Sequence, residues 1–278
     1  MPAVPEGPEI RRAADKLERA LVGRTLDRVF FAFEDLKYYE EELVGCGVSR
    51  VETRGKALLT RFDNGLTLYS HNQLYGRWYI VRAGRLPKTR RSLRVGLHNE
   101  QHSTLLYSAS DVEVLDDRGV AEHPFLCRLG PDILDPELTT GAVARRLEAQ
   151  AFRGRSLGAL YLDQGFLAGN GNYLRSEVLH VAGLHPSTRP RELDAAARMK
   201  LARATLRIAR RSYRTAGITN PPARVSELRE RGLKREALRF AVFGRAAKPC
   251  YECNKPVERI DVGSRRLYFC GNCQPPSR

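Results

Sequence analysis

Pro5-Glu6-Gly7-Pro8-Glu9-Ile10 is the stretch from which the rest of this chain is read. Behind it, Ile10, Ala14, Leu17 and Leu21 fall at i, i+4, i+7 and i+11, one face of an α-helix. Pro8 suits the first helical turn, where its missing N–H loses nothing, and Gly23 suits the C-terminal stop. A helix so placed holds Pro5 and Glu6 just outside its N-terminus, within reach of its dipole.

A proline whose nitrogen ended the chain would be a secondary amine able to attack a sugar C1′ and form an iminium. An α-amino group titrates near pKa ~8, against about 10.4 for lysine, so more of it is neutral at pH 7. Glu6 beside it would serve as general acid and base. On spacing alone the plainer reading is an extended lead-in to a helix. As numbered, Pro5 is internal, and an amide nitrogen is not a nucleophile. The expectation is therefore that Met1-Pro2-Ala3-Val4 is absent from the mature protein, with Val4 encoded by a GTG start codon. The 39 Arg against 8 Lys fit a GC-rich gene in which such starts occur.

At 278 residues the chain can bury a sizeable core and form two or more domains. Its net charge of +15 is uneven: residues 1–130 hold 20 Lys+Arg against 18 Asp+Glu, and residues 131–278 hold 27 against 14. A nearly neutral half joined to a basic half suits a scaffold attached to a polyanion-binding part. No apolar run approaches the ~20 residues that span a membrane, and no signal-peptide core is present. The expected location is the cytoplasm, with nucleoid association when bound to DNA.

Residues 25–115 read mostly as strands: Thr25–Phe33, Ala57–Phe62, Leu66–Tyr69, Arg77–Arg82, Leu93–His98, Thr104–Tyr107 and Val112–Leu115. Asp63-Asn64-Gly65 between two of them is a short-hairpin signal, and the series suggests a β-sandwich. Arg128-Leu129-Gly130-Pro131-Asp132 marks a boundary, after which the pattern turns helical over 141–150, 156–166, 172–181 and 193–214. In the last of these Met199, Ala202, Leu206, Ala209 and Tyr213 form an apolar stripe, with arginines most simply a solvated face. Residues 216–238 are charged and proline-containing, either an ordered loop or a mobile linker.

Cys250-x-x-Cys253 and Cys270-x-x-Cys273, sixteen residues apart, give a strong structural-zinc signal. Four thiolates complete a tetrahedral Zn²⁺ shell and leave no position open for catalysis, and the apolar residues between the pairs predict a zinc-ribbon hairpin. Gly169-Asn170-Gly171-Asn172, between helices, can offer backbone N–H groups and a helix N-terminus to a phosphate, or can simply turn the chain. Lys56, entering a strand from Arg54-Gly55, is either a solvated flank or a cation aimed at chemistry. Gln73-Leu74-Tyr75 is a loop triplet that can fill the gap left by an extruded base, or pack as any loop does.

In this order the segments resemble the formamidopyrimidine-DNA glycosylase/endonuclease VIII family from Pro5 to about Gln274. The residues that carry the likeness are 5–15, Glu52-Thr53-Arg54-Gly55-Lys56-Ala57-Leu58-Leu59, residues 68–76, Tyr107-Ser108-Ala109-Ser110-Asp111, Leu162-Asp163-Gln164, Gly171-Asn172-Tyr173-Leu174-Arg175 and the four cysteines. Glycine at position 7 resembles the endonuclease VIII branch, where the oxidised-purine branch typically has leucine. The resemblance implies a bifunctional DNA glycosylase and AP lyase of base excision repair acting on oxidised bases, chiefly pyrimidines, by a proline Schiff base and β,δ-elimination. It implies Pro5 as nucleophile, Glu6 as acid/base, Lys56 as proton donor of β-elimination and Arg265 as donor of δ-elimination and phosphate grip. Gln73, Arg128, Gly171 and Asn172 match DNA-contact positions, and Leu74 and Tyr75 match residues inserted where the base leaves. Four features depart from the family: four residues precede Pro5, Asn170 stands where an aliphatic residue is usual, 216–238 is long, and Arg266 follows Arg265 where proline can stand.

The reading is thus α+β. It comprises an N-terminal helix with a β-sandwich (5–128), a helix-two-turn-helix domain (132–238) and a four-cysteine zinc ribbon (241–275) holding one structural Zn²⁺. The expected partner is damaged double-stranded DNA, bound by a monomer that uses no membrane. The rivals are the same fold acting on formamidopyrimidine or 8-oxoguanine, and a non-catalytic DNA-binding module should Pro5 never be exposed.

Overall fold

The spacing of Ile10, Ala14, Leu17 and Leu21 yields the expected helix: α1 runs Gly7–Leu21 in the computed structural model, which describes residues 5–276. All four side chains lie in one buried apolar cluster, and Gly23 ends the helix in a left-handed turn at φ 73°. The expectation about Met1-Pro2-Ala3-Val4 falls outside the described residues. By packing, the described chain divides into two units: Pro5 with residues 9–128, and residues 6–8 with 129–276.

The first unit is a β-sandwich. Its strands are β1 (Arg28–Phe31), β2 (Val48–Arg54), β3 (Ala57–Phe62), β4 (Thr67–His71), β5 (Arg77–Arg82), β6 (Leu93–His98), β7 (His102–Tyr107) and β8 (Asp111–Leu115). They form two antiparallel sheets of order β1-β6-β7-β5 and β2-β3-β4-β8. Phe31, Val95, Leu97 and Leu106 from one sheet meet Val51, Leu58, Phe62 and Leu68 from the other, and α1 packs its apolar face into the same cluster. Sandwich cores of this kind follow from the period-2 placement of apolar residues. The strand expected over 25–33 is only four residues long. The edge strand β2 carries no readable period because its burial does not alternate and three of its seven side chains are charged. Two short helices, α2 (Tyr38–Leu43) and α3 (Asp117–Glu122), carry no sequence period long enough to read.

The second unit contains α4 (Thr140–Glu148), α5 (Leu157–Leu160), α6 (Asn172–Ala182), α7 (Ala195–Arg214), α8 (Pro222–Glu230), α9 (Arg235–Leu238) and the hairpin β9 (Glu258–Val262) with β10 (Arg265–Phe269). The helix expected over 156–166 is corrected to the single turn α5. The Asp163 carboxylate, paired with Arg155, accepts the Gly165 N–H at 2.7 Å and pulls the backbone into a turn. Segment 216–238 is ordered: α8 and α9 close over Ile218, Val225, Leu228 and Leu238. Its ends are fastened by the buried Glu177 carboxylate of α6, which accepts from Thr219 Oγ1 at 2.6 Å and from the N–H groups of Ala241, Val242 and Phe243 at 2.9 Å each. The apolar stripe of α7 lies slightly off the expected line. Leu201, Ala202, Thr205, Leu206, Ile208, Ala209 and Ser212 are buried, while Met199 and Tyr213 are half-exposed.

Candidate active site

In the second unit Glu6, just before α1, meets the start of α6. Gly171 is the N-cap of α6 and brings no side chain to satisfy the helix's first N–H groups. Glu6 supplies what is missing: its Oε1 accepts from Tyr173 N at 2.8 Å and its Oε2 from Leu174 N at 3.2 Å. The next residue, Gly7, donates its N–H to Gly169 O at 2.8 Å. Both glycines are obligatory for this approach. A Cβ on Gly171 would lie 2.6 Å from Glu6 Oε1, and a Cβ on Gly7 would lie 2.9 Å from Gly169 Cα. Glu6 is 2% exposed. Its carboxylate is thus fixed in position by backbone donors, on the residue that is peptide-bonded to Pro5.

One further turn along α6, Arg175 is fully buried. Its guanidinium donates to Gly158 O at 2.6 Å, Asn172 Oδ1 at 3.0 Å, Arg265 O at 2.8 Å and Arg266 O at 3.3 Å. Burial brings its pKa down to about 10, with Arg265 pushing the same way and the Glu6 charge opposing. Arg175 therefore sets both Asn172 and the tip of the β9–β10 hairpin, where Gly263 and Ser264 turn at φ 59° and 60° and leave Arg265 and Arg266 exposed. In the sequence Arg175 stands only as one letter of a motif, with no role of its own. A cation near the start of a helix, where the dipole favours an acidic residue, is the signal that would find it. Asn170 is buried with neither side-chain amide atom partnered among the described residues.

The four cysteines behind the hairpin converge, with all four Sγ atoms within 4.8 Å of one another. Tetrahedral zinc with Zn–S near 2.3 Å sets sulfurs about 3.8 Å apart. The Cys250–Cys273 and Cys253–Cys270 sulfur distances of 3.9 and 3.4 Å suit it. These residues form a structural Zn²⁺ site. Tyr268 N also donates to Ser176 Oγ at 3.2 Å, so α6 and the metal grip the hairpin from two sides.

The first unit gathers Lys56 and the 73–75 loop at one end of the sheet β2-β3-β4-β8. Gly55, at φ 62°, and Lys56 make a two-residue turn between β2 and β3. Ala57, His71 and Asp111 then stand opposite one another across β3, β4 and β8. His71 sits below its ordinary pKa, first through burial, with the Lys56 charge adding to that and Asp111 opposing it. Its ring accepts the Gln73 N–H at 3.1 Å, and Phe125 packs edge-on against it. Gln73, in the left-handed region at φ 47°, accepts the Ser110 hydroxyl at 3.1 Å. Leu74 and Tyr75 beside it are 51% and 68% exposed, far from the usual state of large apolar side chains. Arg128 is exposed and is braced by a 2.6 Å bond from its Nε to Pro124 O.

Residues 4–118 match the formamidopyrimidine-DNA glycosylase N-terminal domain. Endonuclease 8 of Escherichia coli O17:K52:H18 is 50% identical over 271 residues, covering 98% of this chain and 100% of that one. The crystal structure of MutM (Fpg) from Thermus thermophilus superposes with TM-score 0.78 at 28% identity, covering 99% of this chain and all of that one. Lactococcus lactis Fpg in complex with DNA containing N7-benzyl-Fapy-dG shares the fold, with TM-score 0.79 at 20% identity and coverage of 98% and 100%.

Proposed function

Because the chain belongs to the formamidopyrimidine-DNA glycosylase/endonuclease VIII family, and is a base-excision-repair glycosylase with AP-lyase activity, we propose that Pro5 is its nucleophile and oxidised pyrimidines its chief substrates. The observation that carries this reading is the capture of Glu6 by the first N–H groups of α6, which holds an acid/base at the residue next to Pro5.

With its nitrogen at the chain end, Pro5 adds to C1′ of an extruded nucleotide. The C1′–N bond to the base breaks and its electron pair leaves with the base; the amine proton is lost, and the C1′–O4′ bond then opens with O4′ taking a proton, which leaves the iminium. Glu6 accepts and returns protons at the sugar. Lys56 supplies the proton of β-elimination. Burial holds the neighbouring His71 ring below its ordinary pKa, and the Lys56 charge pushes the same way. Arg265 grips a lesion phosphate and serves δ-elimination, with Arg175 and zinc holding its backbone in place. Asn172, Gly171, Arg128 and Gln73 bind the DNA backbone, and Leu74 and Tyr75 enter the gap left by the base. Zinc takes part in no step.

The relatives at 50% identity, named endonuclease 8, favour pyrimidines over purines, and Gly7 packs too close to Gly169 to take a side chain. No helix among the described residues is long and apolar enough to cross a membrane, and the DNA substrate puts the enzyme's work on the nucleoid. Single-turnover excision of dihydrouracil, thymine glycol and 8-oxoguanine tests the proposal. Faster release of the two pyrimidines is expected, and fastest release of 8-oxoguanine would move the assignment to the purine branch. DNA binding that weakens with salt but leaves every lesion intact would favour a non-catalytic module.

A further inference from the structure

The 20 residues of α7 carry six arginines and one lysine and no acidic residue. The buried face, through Leu201, Thr205, Ile208 and Ser212, packs on α6 and α4, so the cations face the other way. At 100° per residue, Arg203, Arg207 and Arg214 fall within about 40° of one another, in a row about 16 Å long. Arg198 is neutralised by Glu148 at 2.8 Å, and Arg210 and Arg211 are tied to the carbonyls of Leu138 and Thr219. Arg203, Arg207 and Arg214 have no ion-pair partner among the described residues. Arg211 is held below its ordinary pKa by burial and by the like charges of Arg207 and Arg214. The helix dipole accounts for cations in the last turn only, and leaves Arg203 and Arg207 unexplained.

We propose that this row is a second binding surface for duplex DNA, separate from the Asn172 and Arg265 positions. It would contact phosphates of an undamaged segment while the lesion site is free or filled. A file of unpaired guanidiniums about 6 and 10 Å apart along the helix is on the scale of a phosphate backbone and carries no base-reading geometry. The other polyanions fit less well. None of the exposed large hydrophobic residues lies on α7, so nothing there would enter a lipid surface or stack on single-stranded bases. A second duplex contact lets an enzyme pass between DNA segments without full release, which suits a search for rare lesions.

The proposal goes beyond the glycosylase reading and does not need it to be correct. The test is the stoichiometry of a 12-base-pair undamaged duplex bound to the whole protein, by sedimentation at low salt, with R203Q/R207Q/R214Q alongside. The expected result is two duplexes on the native protein and one on the variant, with the salt dependence of the second event falling by about 0.9 per arginine removed. A single duplex on the native protein, or two on both proteins, overturns the proposal. The three side chains are exposed, so the variant should fold; Arg207→Gln alone, expected to weaken the second duplex about threefold, guards against a folding failure. Vesicles with anionic phospholipid run in parallel, and vesicle binding without second-duplex binding would also overturn it. Excision on the same short duplex carrying thymine glycol is expected to be unchanged in the variant, and that assay alone reports on the glycosylase reading.

Discussion

α6 and α7 pack against each other and are built on opposite rules. α6 is enclosed on nearly every side, and its polar side chains are spent on fastening neighbours: Asn172 and Arg175 set the hairpin tip, Ser176 holds Tyr268, and Glu177 holds both ends of the α8–α9 segment. α7 buries one apolar face and leaves the other covered in unbalanced positive charge. Buried polar groups held by several partners fix one geometry, because each lost partner leaves an unsatisfied atom in a low-dielectric interior. Exposed charges fix little and attract much. Catalytic geometry is therefore expected to reside in α6, and reach toward a long polyanion in α7.

The most severe disruption of that division is Gly171→Ala. Its Cβ would displace the Glu6 carboxylate from the α6 N-terminus, and excision should fall by about 10²-fold, with DNA affinity much less affected. Arg175→Met comes next. It fills the volume but leaves the carbonyls of Gly158 and Arg265 without their donor, and should cost about 3 kcal/mol of stability by thermal denaturation. It should also raise the share of product that stops after β-elimination, because Arg265 loses its support.

Much of this is legible in the sequence and some is not, for separable reasons. The α1 face, the cysteine pairs and most sandwich strands rest on local spacing and appear where spacing puts them, whereas β2 does not and β1 is shorter than expected. The role of Arg175 depends on carbonyls 17, 90 and 91 residues away, which no local pattern encodes. The α8–α9 segment reads equally as a linker because its charged surface outnumbers four buried apolar residues, and because Glu177, its anchor, lies in another helix. For the candidate site, the residue types are readable and their mutual support is not: that Glu6 replaces the missing cap of α6 follows only from seeing Gly171 without a side chain beside it.

Smaller effects sharpen the same contrast. Asn170→Leu removes two buried, unpartnered amide atoms next to the α6 cap and should stabilise the protein by about 1 kcal/mol, visible as a raised midpoint in urea. R203Q/R207Q/R214Q on α7 should change stability by no more than about 0.5 kcal/mol per site, since those side chains support nothing within the fold.

The central claim is that the Pro5 nitrogen, with Glu6 held beside it, forms the covalent link to DNA. Borohydride trapping on duplex DNA containing thymine glycol tests it directly, comparing a form whose translation starts with methionine at position 4 against one retaining residues 1–4. The account predicts a protein–DNA adduct from the first form only, abolished in Glu6→Gln with folding intact. An adduct of equal yield from the form that keeps residues 1–4 would contradict it.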